Sequence, residues 1–300
     1  MLSVSIIGGY LGAGKTTLVN NLLRQANGTR IAVLVNEFGA LPIDEDLIEA
    51  QDDALISIAG GCVCCSYGND LVQALLDLSK WDQAPDHLVI ECSGVALPAA
   101  IAASVSLIEG FQVDGVVIVA DAETIKGQAE DTYVGDTIER QLRDADIILL
   151  NKADLVPPAQ LDDVTKWLAT MSPSARVVAT RHARVPNSVV MQSFDHAPAD
   201  FADPNPSHAP AFASRVIAFP TDCDAEAVAR WLADPGNGLV RAKGFVPTSQ
   251  GLRAIQTVGG RWAVSDAPAG ATPGVVIIAQ AGQADLDRVA QRLTVAGSAA

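Results

Sequence analysis

Over roughly the first 180 residues, short continuous apolar runs alternate with stretches whose apolar residues recur at helical spacing. The runs at 2–7, 31–35, 55–58, 87–90, 116–119, 147–150 and 176–179 predict strands. The stretches 17–23, 70–80 and 138–143 predict helices between them. Unbroken apolar strands interleaved with helices predict an α/β fold, a mostly parallel, doubly wound sheet covered on both faces. The pattern breaks at 186–210, where Pro186, Pro198, Pro204, Pro206 and Pro210 interrupt any periodicity, and a linker is expected there. Beyond it, strands are expected at 214–219, 239–246 and 275–279 and helices at 222–233, capped by Thr221 or Asp222, and at 285–293. The runs 252–258 and 261–264 flank Gly259-Gly260 as a hairpin would. The reading is a first domain over 1–185, a Pro-rich linker over 186–210 and a smaller α+β domain over 211–300, with no internal repeat.

Composition narrows the classes. With 49% hydrophobic and 18% charged residues, the chain has ample core and little tendency to disorder. A formal net charge of -15 argues against nonspecific nucleic-acid or anionic-membrane partners, which need a basic face. Apolar runs such as 115–120 are too short to span a bilayer. The N-terminus lacks the basic segment of a secretory signal. Five cysteines, an odd number, suggest reduced thiols and a cytoplasmic protein rather than a disulfide framework.

The chemistry starts at residue 9. Gly9-Tyr10-Leu11-Gly12-Ala13-Gly14-Lys15-Thr16 fits the phosphate-loop pattern G-x-x-x-x-G-K-[ST], between a predicted strand and a predicted helix that begins with Thr17. Its glycines let backbone N–H groups wrap a phosphate, Lys15 reaches the β- and γ-phosphates, and the Thr16 hydroxyl suits Mg²⁺. Asn151-Lys152-Ala153-Asp154 follows a predicted strand 135 residues after Thr16. There the Asp154 carboxylate can accept from the N1–H and amine of guanine, while Asn151 and Lys152 position the base and the loops; the alternative is a solvated loop capped by Asp154. The strand-end acid Glu91 in Glu91-Cys92-Ser93-Gly94 suits the Mg²⁺ hydration shell, and Gly94 N–H suits the γ-phosphate; the alternative is a capping acid. Glu37, in Asn36-Glu37-Phe38-Gly39, is either a switch residue that holds a metal-bound water or a turn-forming acid. Together, Lys15, Thr16, Glu37 and Glu91 are the catalytic candidates.

Gly61-Cys62-Val63-Cys64-Cys65 is a second chemical signal. Three thiols in four residues can converge on one soft ion, with Cys62 and Cys64 on one face of an extended segment and Cys65 brought round by a turn. The local shell offers at most three ligands, which suits a metal that must leave again. Redox thiols and buried small residues are the alternatives. Cys92 and Cys223 read as isolated core residues.

These motifs, with Arg241-Ala242-Lys243-Gly244-Phe245-Val246 in the C-terminal part, resemble the CobW-type family of metal-chaperone GTPases in the SIMIBI class of P-loop proteins. The resemblance implies GTP hydrolysis to GDP, with Mg²⁺, coupled to delivery of Zn²⁺ or Co²⁺ to a client metalloprotein by a monomer or weak homodimer. Two departures stand out. Ala40 follows Asn36-Glu37-Phe38-Gly39, where family members often carry an acid, and the interdomain stretch holds only His196 and His208, with His182 before it, rather than a histidine-rich run. A GTP-dependent regulatory switch without metal transfer is the second reading. An ATP-dependent kinase-like enzyme is the third, and Asn151–Asp154 argues against it.

Overall fold

The structure, a computed structural model, describes residues 1–26, 28–36, 55–60, 69–81, 84–191, 212–219 and 223–296. They group into two units, Met1–Pro173 with Val177–Met191, and Ser174–Arg176 with Gln192–Ala300.

The first unit is built on β1 (Leu2–Gly8), β2 (Ile31–Asn36), β3 (Leu55–Gly60), β4 (His87–Glu91), β5 (Phe111–Asp121), β6 (Ile147–Asn151) and β7 (Arg176–Ala179). They form a seven-stranded sheet in the order β3-β2-β4-β1-β5-β6-β7. The β1–β4, β1–β5, β2–β3, β2–β4 and β5–β6 pairs are all parallel. Its helices are α1 (Lys15–Arg24), α2 (Asn69–Leu78), α3 (Pro98–Ser106), α4 (Ile125–Glu130), α5 (Gly135–Arg143), α6 (Pro158–Met171) and α7 (Asn187–Val190). The crossover through α1 leads from β1 towards one edge, and that through α3 leads from β4 towards the other. Parallel crossovers are right-handed, so these two helices cover opposite faces. This is why adjacent strand residues such as Ile6 and Ile7, Leu88 and Val89, or Ile148 and Leu149 are all fully buried, and why the strands read as unbroken apolar runs.

Two expectations need correction in this unit. β5 begins at Phe111, not at 116, because its first residues pair with β1 from Leu2 onward across a register shift at Val4/Ser5; the polar Gln112 and Asp114 had hidden it. The stretch beginning at Pro186, expected as linker, instead opens with folded chain: Val189 and Val190 are fully buried, and Val190 O accepts a hydrogen bond from Ser5 Oγ at 2.7 Å. Proline can open a helical turn as well as end one. The rest of the Pro-rich stretch, with His196 and His208, lies outside the described residues.

The second unit contains β8 (Phe212–Ile217), α8 (Ala225–Leu232), β9 (Leu239–Thr248), β10 (Gly251–Val258), β11 (Arg261–Asp266), β12 (Gly274–Gln280) and α9 (Leu286–Ala296). Its five-stranded antiparallel sheet runs β11-β10-β9-β12-β8. Ala242, Val246, Val275 and Ile277 alternate inward and share a core with Val228 and Leu232 of α8 and Leu293 of α9. α8 starts later than expected, and its cap is Asp224 rather than Thr221 or Asp222: Asp224 Oδ1 accepts from Glu226 N and Ala227 N, both at 3.0 Å.

Candidate functional site

Because the first unit's strands run parallel, the ends that carry the sequence motifs lie along one edge. Ile7 and Val35 both stand beside Glu91, and Asp121 stands beside Asn151. The loop after β1 enters this edge at its centre, where strand order reverses and α/β sheets bind ligands.

The phosphate loop, 9–16, leads directly into α1. No side chain among the described residues caps that helix, and its first turn has no acid, so its N-terminal N–H groups suit an anion. Lys15 is buried, with Nζ donating to Tyr10 O at 3.4 Å across the loop. Gly14, at φ 110°, sits so close to Asn151 that an added Cβ would lie 2.5 Å from Asn151 Nδ2. Gly12 and Thr17 are exposed, and Ala13 is buried.

Thr16 and Glu91, expected to share a cation, are adjacent: Thr16 Oγ1 donates to Glu91 Oε1 at 2.9 Å, with Glu91 3% exposed. Gly94 packs against the phosphate loop, where a Cβ would meet Leu11 N at 2.8 Å. Gln141 of α5 fixes this segment from behind, its Nε2 donating to Gly94 O at 3.2 Å and Ala96 O at 2.7 Å. The hydroxyl oxygen of Ser93, just before Gly94, is shielded from solvent and has no hydrogen-bond partner among the described residues.

At the other end of the edge, Asn151 works as a clamp. Its Nδ2 donates to Ala13 O of the phosphate loop at 2.9 Å, and its Oδ1 accepts from Ala183 N at 2.8 Å. Lys152 Nζ pairs with Asp121 Oδ2 at 2.6 Å, and Asp121 Oδ1 also accepts from Glu123 N at 2.9 Å. Asp154 is exposed on the same loop. The turn after β7 abuts this loop, since Ala153 N donates to Thr180 O at 3.1 Å. Within that turn, Thr180 Oγ1 donates to Arg184 O at 2.8 Å. Lys152, His182 and Ala183 all have left-handed φ, at 58°, 52° and 51°.

The structure therefore brings together Gly9, Gly12, Ala13, Gly14, Lys15, Thr16, Thr17, Glu91, Gly94, Asn151, Lys152 and Asp154 on one edge. Glu37, Cys62, Cys64 and Cys65 lie outside the described residues. Among the described residues, no group of three His, Cys, Asp or Glu is placed to hold a metal, and Cys92 and Cys223 are buried. Sequence reasoning missed Asp121, Gln141 and the 180–184 turn. Asp121 carried the same signal as Glu91, an acid ending an apolar strand. Gln141 carried none. No helix among the described residues is long and apolar enough to cross a membrane.

Residues 3–179 match the model of the CobW/HypB/UreG nucleotide-binding domain, and 212–296 that of the cobalamin synthesis protein cobW C-terminal domain. The chain is 34% identical over 191 residues to the zinc chaperone CobW of Sinorhizobium sp, covering 54% of each chain. It is 34% identical over 192 residues to the zinc chaperone YjiA of Escherichia coli, covering 61% of this chain and 59% of the relative. It is 30% identical over 234 residues to the zinc-regulated GTPase metalloprotein activator 1 of Dictyostelium discoideum, covering 64% of this chain and 48% of the relative. The matches thus span about half to three fifths of these relatives' lengths. The crystal structure of Zn(II)-bound YjiA GTPase from E. coli aligns over 98% of both chains at 24% identity, with a TM-score of 0.47.

Proposed function

The chain belongs to the CobW/HypB/UreG family, and from that premise we propose that it is a GTP-hydrolysing metallochaperone, which takes Zn²⁺ or Co²⁺ at Cys62, Cys64 and Cys65 and passes it to a client metalloprotein in the cytoplasm. The names of its relatives, zinc chaperones and a zinc-regulated GTPase metalloprotein activator, support the metal and the nucleotide alike.

One observation carries the nucleotide half: Thr16 Oγ1 and Glu91 Oε1 meet at 2.9 Å beside the phosphate loop. A hydroxyl and a carboxylate are hard oxygen donors, and they fit Mg²⁺. Thr16 and Glu91 would hold that ion, directly or through water, and when bound it offsets charge on the phosphates. Lys15 and the N-terminus of α1 bind the phosphates, and Gly94 N–H would donate to the γ-phosphate. Asp154 accepts from guanine N1–H and amine, while Asn151 ties the base turn to the phosphate loop. Lys152 is held over this end by Asp121.

The metal segment begins just after Gly60, which ends β3 beside Asn36 at the end of β2. Both strand ends lie on the edge that holds Glu91. This neighbourhood supports coupling, because a change at the γ-phosphate has a short route to the strand end from which the metal segment departs. The domain from 211 onward carries none of the phosphate- or base-binding residues, and its proposed task is client selection.

The test is Co²⁺ binding followed by thiolate charge-transfer absorption, in the wild-type chain and in Cys64→Ala/Cys65→Ala, with GDP and with a non-hydrolysable GTP analogue. The band should vanish in the double variant, and wild-type affinity should change about tenfold between nucleotides, a coupling of about 1.4 kcal/mol. A band that persists in the variant moves the metal elsewhere. Equal affinity in both nucleotide states removes the coupled chaperone.

A further inference from the structure

We propose that Asn21 is a positioning residue for base recognition: its buried amide holds the 181–184 turn in the shape that selects guanine. This inference rests on the guanine reading above. Asn21 lies on α1, 8% exposed, and touches neither phosphate loop nor base loop through sequence adjacency. Its Nδ2 donates to His182 O at 2.8 Å and to Ala183 O at 3.2 Å, while its Oδ1 accepts from Arg24 Nη1 at 3.2 Å.

The need for such a group follows from the turn itself. His182 and Ala183 sit at φ 52° and 51°, which residues other than glycine seldom adopt. Their carbonyls turn inward, and buried carbonyls need donors. Asn21 supplies a donor to both. Asn151 grips the same turn from the β6 side through Ala183 N. The turn is thus fixed from two directions, and it lies against the Lys152–Asp154 loop through Ala153 N and Thr180 O.

The consequence for recognition is geometric. α1 presents its N-terminus to the phosphates at Lys15, and it holds the base turn six residues later at Asn21. One rigid helix therefore sets the spacing between the phosphate cradle and the base wall. Loss of the amide loosens the wall, which Asn151 still grips through Ala183 N, and leaves the cradle intact. Contacts to the edge of the base are lost, and contacts to the phosphates remain.

The test uses the full chain with Asn21→Asp and Asn21→Ser. Aspartate keeps the size and sets a carboxylate against two carbonyls. Serine keeps one donor on a shorter arm and serves if the aspartate variant does not fold. GDP and ADP affinities are measured by titration, and melting temperature is recorded alongside. The GDP:ADP affinity ratio should fall about tenfold in Asn21→Asp and less in Asn21→Ser, with ADP affinity unchanged. A purely structural role lowers both affinities together, because it only reduces the folded fraction. That outcome, or an unchanged ratio in a folded variant, overturns the proposal. Equal GDP and ADP affinity in the wild-type chain removes the guanine reading, and this inference with it.

Discussion

At the phosphate end of the nucleotide edge, positive φ belongs to glycines: Gly9 at 129°, Gly12 at 75° and Gly14 at 110°. At the base end it belongs to Lys152, His182 and Ala183. The two ends reach unusual backbone shapes by different means. Glycine enters the left-handed region without steric cost and leaves the loop's N–H groups for a ligand. A side-chain-bearing residue enters it at a cost of about 1–2 kcal/mol and must be held there. Asn21 and Asn151 do the holding at the base end. The phosphate end is thus shaped by residue type, and the base end by distant side chains.

The strongest way to break this contrast is Gly14→Ala. The new methyl would fall 2.5 Å from Asn151 Nδ2 at φ 110°, and Asn151 is the clamp that joins both ends. Nucleotide affinity should drop by about a hundredfold or more, in line with a strain and lost hydrogen bonds worth about 3 kcal/mol. Titration with GDP reads this directly, and affinity within threefold of wild type would separate the two ends.

A smaller effect is expected at the base end alone. Asp154→Asn replaces one acceptor oxygen with a donor, so guanine should lose about tenfold of its advantage over adenine. Competition of ATP against a labelled guanine nucleotide measures it. An unaltered preference would assign base reading to the 180–184 turn without Asp154.

The smallest effect sharpens the contrast most. Ala183→Gly relieves left-handed strain of about 1–2 kcal/mol, but it gives up a buried methyl worth about 0.8 kcal/mol and adds about 0.5–1 kcal/mol of unfolded-state freedom. The sum is close to zero. Denaturant unfolding should place the variant within about 1 kcal/mol of wild type, with the bonds from Asn21 and Asn151 to this backbone retained. A methyl added at Gly14 is ruinous by this account, whereas a methyl removed at Ala183 is almost silent. A large loss at Ala183 would show that packing of its methyl, rather than the amide bonds, holds the turn.

The same contrast explains what could be read from the sequence. A glycine required by geometry leaves its letter in the chain, so 9–16 announced its shape. The parallel sheet announced itself too, because strands covered on both faces must be apolar at every position. The turn at 180–184 left no letter, since Thr180, His182 and Ala183 are ordinary residues there. Its shape depends on Asn21, about 160 residues away in sequence and on a helix face that reads as merely polar. Gln141 was silent for the same reason, as its partners are backbone carbonyls, which every residue has. The start of β5 was hidden differently, because polar residues at 112 and 114 interrupt the apolar run of an otherwise buried strand.

The position of β1 in the sheet has a consequence for how the chain is made. β1 pairs with β4 and β5, whose residues begin at His87 and Phe111, and not with β2, the next strand in sequence. During synthesis the strand that feeds the phosphate loop therefore emerges well before either neighbour. At about 5–20 residues per second, it waits roughly 4–16 seconds for β4 to be translated. Throughout that interval its apolar residues and its unpaired backbone are open to any passing partner. A nascent chain stalled before residue 87 should be bound by general folding factors through this strand, and nucleotide can assist folding only after the central strands have closed around it.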